Sequence, residues 1–216
     1  MAEISAQLVK TLRERTGAGM MECKKALTEA GGDLEKAVEV LRKRGLASAQ
    51  KKSGRATKQG VIGTYLHAGS QLGVMVEVNC ESDFVARTDQ FQALVHDIAM
   101  QVAAADPQFV RKEDVTADIL DKEREIQKAR AIQEGKPEKI AEKIAEGRMQ
   151  KFYEEVCLLE QPFIKDNTIT VGQLIAQKIS TIGENISVAR FVRMKVGETA
   201  AAGGDVEAAA EPVAAQ

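Results

Sequence analysis

The sequence predicts an α+β protein in which a bundle of three short helices precedes a core of antiparallel strands and further helices. In the first 45 residues, apolar positions recur at helical spacing in three short stretches that glycines separate. Two β-type runs flank a polar turn within residues 60–79, which is typical of an antiparallel hairpin. We therefore expect a helical bundle over 1–45, a linker over 46–59, a mixed core over 60–197 and a disordered tail over 198–216.

Composition and charge argue against several classes of protein. Hydrophobic residues make up 44% of the 216 residues and charged residues 29%, as in ordinary globular proteins. The net charge is −2, whereas a nucleic-acid binder usually carries a basic excess, so we expect no direct contact with nucleic acid. No run approaches the ~18 apolar residues of a membrane span, and we expect no contact with a membrane.

The three cysteines, Cys23, Cys80 and Cys157, lie far apart and show no metal-ligand spacing. The amino terminus has no basic segment followed by an apolar core, so no secretory signal is visible. Such cysteines are typical of reduced thiols in a cytoplasmic protein. We predict neither a metal nor another cofactor.

Capping residues and glycines define the three helices of the bundle. Ser5 precedes the first helical pattern, and Gly17 ends it. The second pattern runs over about 19–30. Asp33 is the candidate cap of the third, which we expect to end at Gly45.

The segment after the bundle is basic. Residues 42–58 contain seven Lys and Arg residues and no acidic residue, with Ser and Gly scattered among them. We interpret it as a solvated, mobile tether. The alternative is a weak electrostatic contact with an acidic protein surface or with RNA.

Helical patterns dominate the core after the β-hairpin. Thr88 is the candidate cap of a helix. Two charged patterns, 118–134 and one that starts near Pro137, are separated by Gly135 and predict an antiparallel helical hairpin over about 118–160. The inner face of the Thr88 helix is assigned to Phe91, Leu94, Val95, Ile98 and Val102, and the apolar stripe of the second hairpin helix to Ile140, Ile144, Phe152, Val156 and Leu159.

The last elements of the core are a helix and a strand. Apolar residues at helical spacing predict a helix over 171–182, and 183–185 form a turn. Ile186 begins a β-type run with imperfect alternation. From Glu198 onward Ala, Gly, Glu and Pro dominate, so we expect a disordered tail.

The stretch Asn79-Cys80-Glu81-Ser82-Asp83-Phe84-Val85-Ala86-Arg87 lies between a β-type run and a helix. It presents Asp83 beside the large apolar Phe84, and no nucleophile–base pair is spelled out nearby. The combination suits insertion into another protein, with the ring as anchor and the carboxylate as electrostatic contact.

Four blocks of the chain resemble the elongation factor Ts family, the nucleotide exchange factors of elongation factor Tu. The first is Thr16 to Leu27 and the second is Asn79 to Arg87. The others are Leu158 to Phe163 and Ile182 to Ile186. The blocks are collinear with those of the family and span about residues 3–196. Ser82 stands where the family usually has Thr, and this difference keeps the hydroxyl.

The resemblance implies a ubiquitin-associated-like helical bundle followed by an α+β core. It also implies a protein that binds elongation factor Tu with GDP and releases the GDP without covalent chemistry, so the chain is not an enzyme and has no catalytic residues. Ser82, Asp83, Phe84 and Val85 would contact the partner near its Mg²⁺ site, with Phe84 wedged between two helices. Secondary contacts are assigned to Met20, Met21, Ile182 and Gly183.

The length of the chain resembles the compact form of the family, which has one hairpin-bearing core unit in place of two. Compact members can compensate by dimerising, so a homodimer in a two-plus-two complex with elongation factor Tu is possible. The resemblance leaves Met20 and Met21 ambiguous, and we expect one of them in the core and the other on the surface.

Three other functions compete with this interpretation. A Cys–His hydrolase could use Cys80 or Cys157 with His96, but it needs a thiolate activated by a nearby base. An RNA-associated module could use the basic segment 42–58. A ubiquitin-type adaptor would account for the bundle but not for residues 60–196.

Overall fold

The computed structural model describes residues 4–198 and begins with the predicted bundle. Helix α1 (Ala6–Thr16) starts at Ser5, whose Oγ accepts a hydrogen bond from the Leu8 amide at 3.2 Å. It ends at Gly17, which adopts a left-handed conformation with φ of 67°. Both predicted ends of this helix are therefore confirmed.

Two more helices complete the bundle. Helix α2 (Met20–Glu29) packs beside helix α3 (Leu34–Lys52), and Asp33 caps α3 by accepting a hydrogen bond from the Lys36 amide at 3.1 Å. Their shared core consists of small and aliphatic side chains: Val9, Leu12, Cys23, Ala26, Leu27 and Ala37.

Helix α3 does not end at Gly45, where we expected it to end, and the segment predicted as a tether is helical up to Lys52. Gly45 is buried, and a Cβ atom placed there would lie 3.7 Å from the Cβ of Ser180. Packing against another helix and the helix-forming residues that follow outweigh the low helix propensity of one glycine. Farther along, Ala49 joins the core of the second unit.

The predicted β-hairpin is confirmed. Strand β1 (Gln59–Leu66) pairs antiparallel with strand β2 (Leu72–Cys80), with Gly63 opposite Val76. A single-turn helix, α4 (Asp83–Ala86), follows where we expected only a polar turn.

Helix α5 (Asp89–Ala105) lies across the hairpin. Thr88 caps it by accepting a hydrogen bond from the Phe91 amide at 3.4 Å. A Cβ atom at Gly63 would lie 2.2 Å from Cγ1 of Val95, so the close approach of α5 to β1 requires glycine there. The predicted inner face is confirmed, because all five of its residues are buried: Phe91, Leu94, Val95, Ile98 and Val102.

Helices α6 (Ala117–Gln133) and α7 (Glu138–Val156) form the predicted antiparallel hairpin, and Gly135 turns the chain with φ of 80°. The stripe predicted for α7 is wrong in part, because Ile140 is exposed and Leu159 lies beyond the helix in a short 3₁₀ turn. Small side chains allow the two helices to approach closely. The residues buried along α6 and α7 are Ala131, Ala141, Ala145, Met149 and Val156.

A small hairpin that the sequence did not reveal follows, with strands β3 (Pro162–Phe163) and β4 (Asp166–Thr170). Helix α8 (Val171–Ile182) has the predicted bounds and begins with a capping box of Thr170 and Gln173. Strand β5 (Ile186–Lys195) is the predicted final strand. The disordered tail was expected over 198–216. Glu198 is described, and its carboxylate pairs with Arg193 at 2.6 Å, whereas residues 199–216 lie outside the described residues.

The main sheet has the order β1-β2-β5, and both pairs are antiparallel. One face packs against α5 and α8 to form the main core, and the other carries exposed side chains. The α+β class is therefore confirmed. Among the helices described in residues 4–198, none is long and apolar enough to span a bilayer.

Candidate partner-binding site

Residues 82–87, which we call the Phe84 turn, hold an aromatic ring outside the protein. The Oγ of Ser82 caps α4 by accepting a hydrogen bond from the Val85 amide at 3.3 Å. Val85 and Ala86 are buried in the main core, whereas the Phe84 side chain is 77% exposed. Because successive residues of one helical turn point in different directions, anchoring two of them inward directs the ring into solvent.

Val85 has a different position from the one that the resemblance assigned to it. Only 7% of the residue is exposed, and it packs with the main core. Its side chain anchors the Phe84 turn and offers almost no area to a partner. Ser82 is half-buried and acts through its hydrogen bonds.

Asp83 lies on the same exposed side of the turn. Its carboxylate pairs with Arg87 one turn later, at 3.0 Å, and both side chains are mostly exposed. Exposed pairs of this kind contribute little to stability. The carboxylate can therefore leave Arg87 for another cationic group or network.

A second segment of the chain meets the start of the turn. The Oε2 of Glu184 accepts hydrogen bonds from the Glu81 and Ser82 amides at 3.1 and 3.0 Å. Its Oε1 accepts a hydrogen bond from the Ser82 hydroxyl at 2.6 Å. The structure thus joins two of the four blocks recognised in the sequence. Glu184 itself was missed, although it stands directly after Gly183 in the last block.

Ile182 and Gly183 lie beside this contact. Ile182 is half-buried and packs against the main core. Gly183 ends α8 in a left-handed conformation with φ of 91°, and a Cβ atom there would meet open space. The sharp turn at Gly183 brings Glu184 to the Phe84 turn.

Met20 and Met21 begin α2, and both are on the surface. They are 54% and 65% exposed, so the expectation that one of them lies in the core is wrong. The residues of α2 that are buried in the bundle come after the methionines: Cys23, Ala26 and Leu27. Two adjacent exposed methionines offer a flexible apolar surface.

The cysteines do not have the features of an activated nucleophile. All three are buried, and burial raises the pKa of each thiol, that of Cys157 to about 11. The thiol of Cys80 donates a hydrogen bond to the Ser82 carbonyl at 3.1 Å. His96 stacks edge-on with Tyr65, with ring centroids 5.8 Å apart. A hydrolase would instead need a lowered thiol pKa beside a base.

Some of the seven basic residues of the segment 42–58, among them Arg44, Lys52 and Arg55, make contacts within the chain. Arg44 pairs with Glu22 and Glu29, and Arg55 pairs with Glu81. Lys52 donates a hydrogen bond to a carbonyl of α8. These contacts weaken the case for a basic surface that binds RNA. Within residues 4–198, no group of three or more His, Cys, Asp or Glu side chains is arranged to hold a metal.

Comparisons with known proteins agree with the four blocks. The family described as "Elongation factor TS" matches residues 7–198. A protein named elongation factor Ts from Solibacter usitatus is 74% identical over 198 residues, which cover 92% of this chain and 93% of that protein. Those of Desulforamulus reducens and Koribacter versatilis are 62% and 64% identical, over 92% and 90% of this chain and 91% and 89% of their own lengths.

Proposed function

Because this chain belongs to the elongation factor Ts family of translation factors, we propose that it binds elongation factor Tu with GDP and promotes release of the GDP. The observation that carries this proposal is the Phe84 ring, which is 77% exposed on a turn anchored in the core. Exchange of GDP for GTP then proceeds without covalent chemistry on this chain.

In the proposed mechanism, Phe84 inserts between two helices of the partner's nucleotide-binding domain. Asp83 leaves its exposed partner Arg87 and helps to disturb the network that holds the Mg²⁺ of the nucleotide site. Loss of Mg²⁺ coordination and displacement of the phosphate-binding backbone amides weaken GDP binding, since the diphosphate depends on both.

The energies are of the required size. Exchange factor and GDP weaken each other's binding reciprocally, and a hundredfold effect corresponds to about 2.7 kcal/mol. Burial of one Phe side chain contributes about 1.5–3 kcal/mol. One inserted ring therefore accounts for much of the coupling, and wider contacts supply the remainder.

The wider contacts are assigned to two further surfaces. Met20 and Met21 would dock on another helix of the partner, which their joint exposure supports. Ile182 and Gly183 would contact the partner beside the ring, which the hydrogen bonds between Glu184 and Ser82 support. The proposed contacts include no nucleic acid, membrane or cofactor. The proposed location is the cytoplasm, which the three unpaired cysteines fit.

A homodimer through the outer face of the main sheet is part of the proposal. This face carries exposed apolar side chains on all three strands, and an exposed apolar patch of this kind marks an interaction surface. A twofold axis brings the same patch of two chains together. Its apolar residues are Ile62, Leu66, Met75, Val192 and Met194.

Replacing Phe84 with Ala tests the proposed function. We expect F84A to lower the rate of GDP release at least tenfold, because the inserted ring is lost, and to unfold at the same temperature as the parent, because the ring is exposed. The measurement is stopped-flow release of fluorescent GDP from elongation factor Tu. Ile164→Ala, which shortens an exposed side chain elsewhere, is the control. An F84A protein as active as I164A would refute the mechanism.

A further inference from the structure

We infer that Glu184 is a positioning residue for exchange, because it fixes the orientation of the Phe84 turn; the inference rests on the proposed function. Glu184 does not lie in the turn, and 102 residues separate it from Ser82. Glu184 therefore acts on a partner indirectly, through its hydrogen bonds to Glu81 and Ser82.

Both oxygens of the Glu184 carboxylate accept hydrogen bonds from the first residue of the turn and the residue before it. One oxygen accepts the Glu81 and Ser82 amides, and the other accepts the Ser82 hydroxyl at 2.6 Å. Hydrogen bonds to an ionised acceptor are roughly twice as strong as those between neutral groups. The side chain is half-buried, so water competes for these donors less than on an open surface.

A reciprocal contact strengthens the arrangement. The carboxylate of Glu81 accepts a hydrogen bond from the Asn185 amide at 2.6 Å and pairs with Arg55 at 3.5 Å. The buried side chain of Asn185 donates to the carbonyls of Ser53 and Arg55. The end of α3, the start of the Phe84 turn and the loop after α8 are thereby tied together.

The turn needs this external support because it is so short. An isolated helical turn fixes several dihedral angles for one or two hydrogen bonds and is unstable alone. The hydroxyl of Ser82 links the support to the turn, since it donates to Glu184 and accepts from the Val85 amide. Without the carboxylate of Glu184, Ser82 loses its acceptor and Phe84 samples more orientations. Binding then selects the competent orientation at a cost in affinity.

Glu184→Gln is the variant of choice, because it keeps the size of the side chain and replaces one acceptor oxygen with a donor that faces donors. We expect E184Q to lower the efficiency of GDP release about tenfold. Efficiency is measured as the rate of GDP release from elongation factor Tu at a sub-saturating concentration of this protein. Glu160→Gln is the matched control, since Glu160 is also half-buried and pairs with Lys112 at 2.9 Å away from the turn.

A double-mutant cycle with F84A separates positioning from a general loss of structure. If Glu184 acts by orienting the turn, the fold-loss caused by E184Q is smaller in F84A than in the parent, because only Asp83 then depends on the orientation. An efficiency of E184Q equal to that of E160Q, or an equal fold-loss with and without Phe84, overturns the inference.

The same data distinguish failure of the inference from failure of the proposed function, because the latter appears as F84A releasing GDP like the parent. Thermal unfolding of each variant verifies that it is folded at the assay temperature. If E184Q is unfolded, Glu184→Asp, which keeps the charge on a shorter side chain, is taken through the same cycle with the same two outcomes.

Discussion

At the scale of single residues, the cysteines behave as small apolar side chains. Cys23 lies in the core of the bundle, Cys80 in the main core and Cys157 beneath the start of α6. Burial, with a smaller contribution from the carboxylate of Glu160, raises the pKa of the Cys157 thiol to about 11. A thiol protonated across the neutral range has little nucleophilic reactivity.

This pKa predicts slow alkylation of Cys157 in the folded protein. At pH 8 a thiol with a pKa three units higher is about 0.1% thiolate, whereas an ordinary cysteine is about a quarter thiolate. We expect iodoacetamide to modify Cys157 more than about a hundredfold more slowly in the folded chain than in denaturant, as followed by peptide mass spectrometry. Exchange activity should survive the treatment. Labelling of the folded chain at the denatured rate would contradict the assigned burial.

At the scale of elements, α3 is shared by the two units. Its first half packs with α1 and α2 around Ala37, and its second half packs on α8 with Ala49 in the main core. Lys52 donates a hydrogen bond to the Ile179 carbonyl at the end of α8. A continuous helix therefore sets the direction from the exposed methionines of α2 to the Phe84 turn.

Breaking α3 at Ala47 should separate the two surfaces. Ala47 is exposed, so Ala47→Pro removes no packing but deletes a helical hydrogen bond and costs about 3 kcal/mol in the helix. We expect the efficiency of GDP release to fall about tenfold or more. Once the core is bound, a broken helix no longer holds the methionines of α2 near their own contact with the partner, so their effective concentration there falls. Ala47→Ser is the control. Equal efficiency of the two variants would indicate that the bundle and the core act independently.

Local signals made most elements predictable from the sequence. Side-chain caps at Ser5, Asp33 and Thr88 predicted the starts of three helices. Each cap bonds an amide within the first turn of its own helix, so the signal is local in the sequence. The end of α3 was not predictable in this way, because Gly45 packs near Ser180 of α8, a residue far away in the sequence. Ile140 is another example. Which residues of α7 are buried depends on its packing against α6, and the buried positions are those of Ala141 and Ala145.

The candidate site also has features that local sequence predicts and features that only distant contacts determine. The chemistry of Asp83 and Phe84 and their place after a strand can be read from neighbouring residues. The burial of Val85 and the role of Glu184 depend on contacts between distant segments, which no local pattern encodes. The exposure of both Met20 and Met21 likewise depends on how α2 packs against α1 and α3.

At the scale of the whole molecule, the two proposed interfaces are different surfaces: the outer face of the main sheet, and the turn that follows the last residue of β2. The exposed Leu66 and Met194 flank Gly73 near the start of this strand, whereas the Phe84 turn follows its last residue. The patch also includes Ile62 opposite Glu77, and the three residues of strand from Glu77 to Cys80 span about 10 Å. The proposed two-plus-two complex uses these two surfaces of each chain.

Met75→Lys on the central strand tests the proposed dimer. We expect the parent to have the mass of a dimer by size-exclusion chromatography with light scattering, and M75K that of a monomer, because the charge would be buried at the twofold contact. Mixtures with elongation factor Tu should change from two-plus-two to one-plus-one. Ile132→Lys, on an exposed position of the helical hairpin, is the control. A monomeric parent at micromolar concentration would refute the dimer.

The long separation between Ser82 and Glu184 has a consequence for synthesis of the protein. At about 5–20 residues per second, the ribosome adds the 102 residues between them in about 5–20 s. During that interval the nascent chain carries its ring without the carboxylate that orients it, and β2 still lacks β5 as its neighbour. Under the proposed function, a chain that terminates before residue 184 therefore lacks the carboxylate that orients the ring.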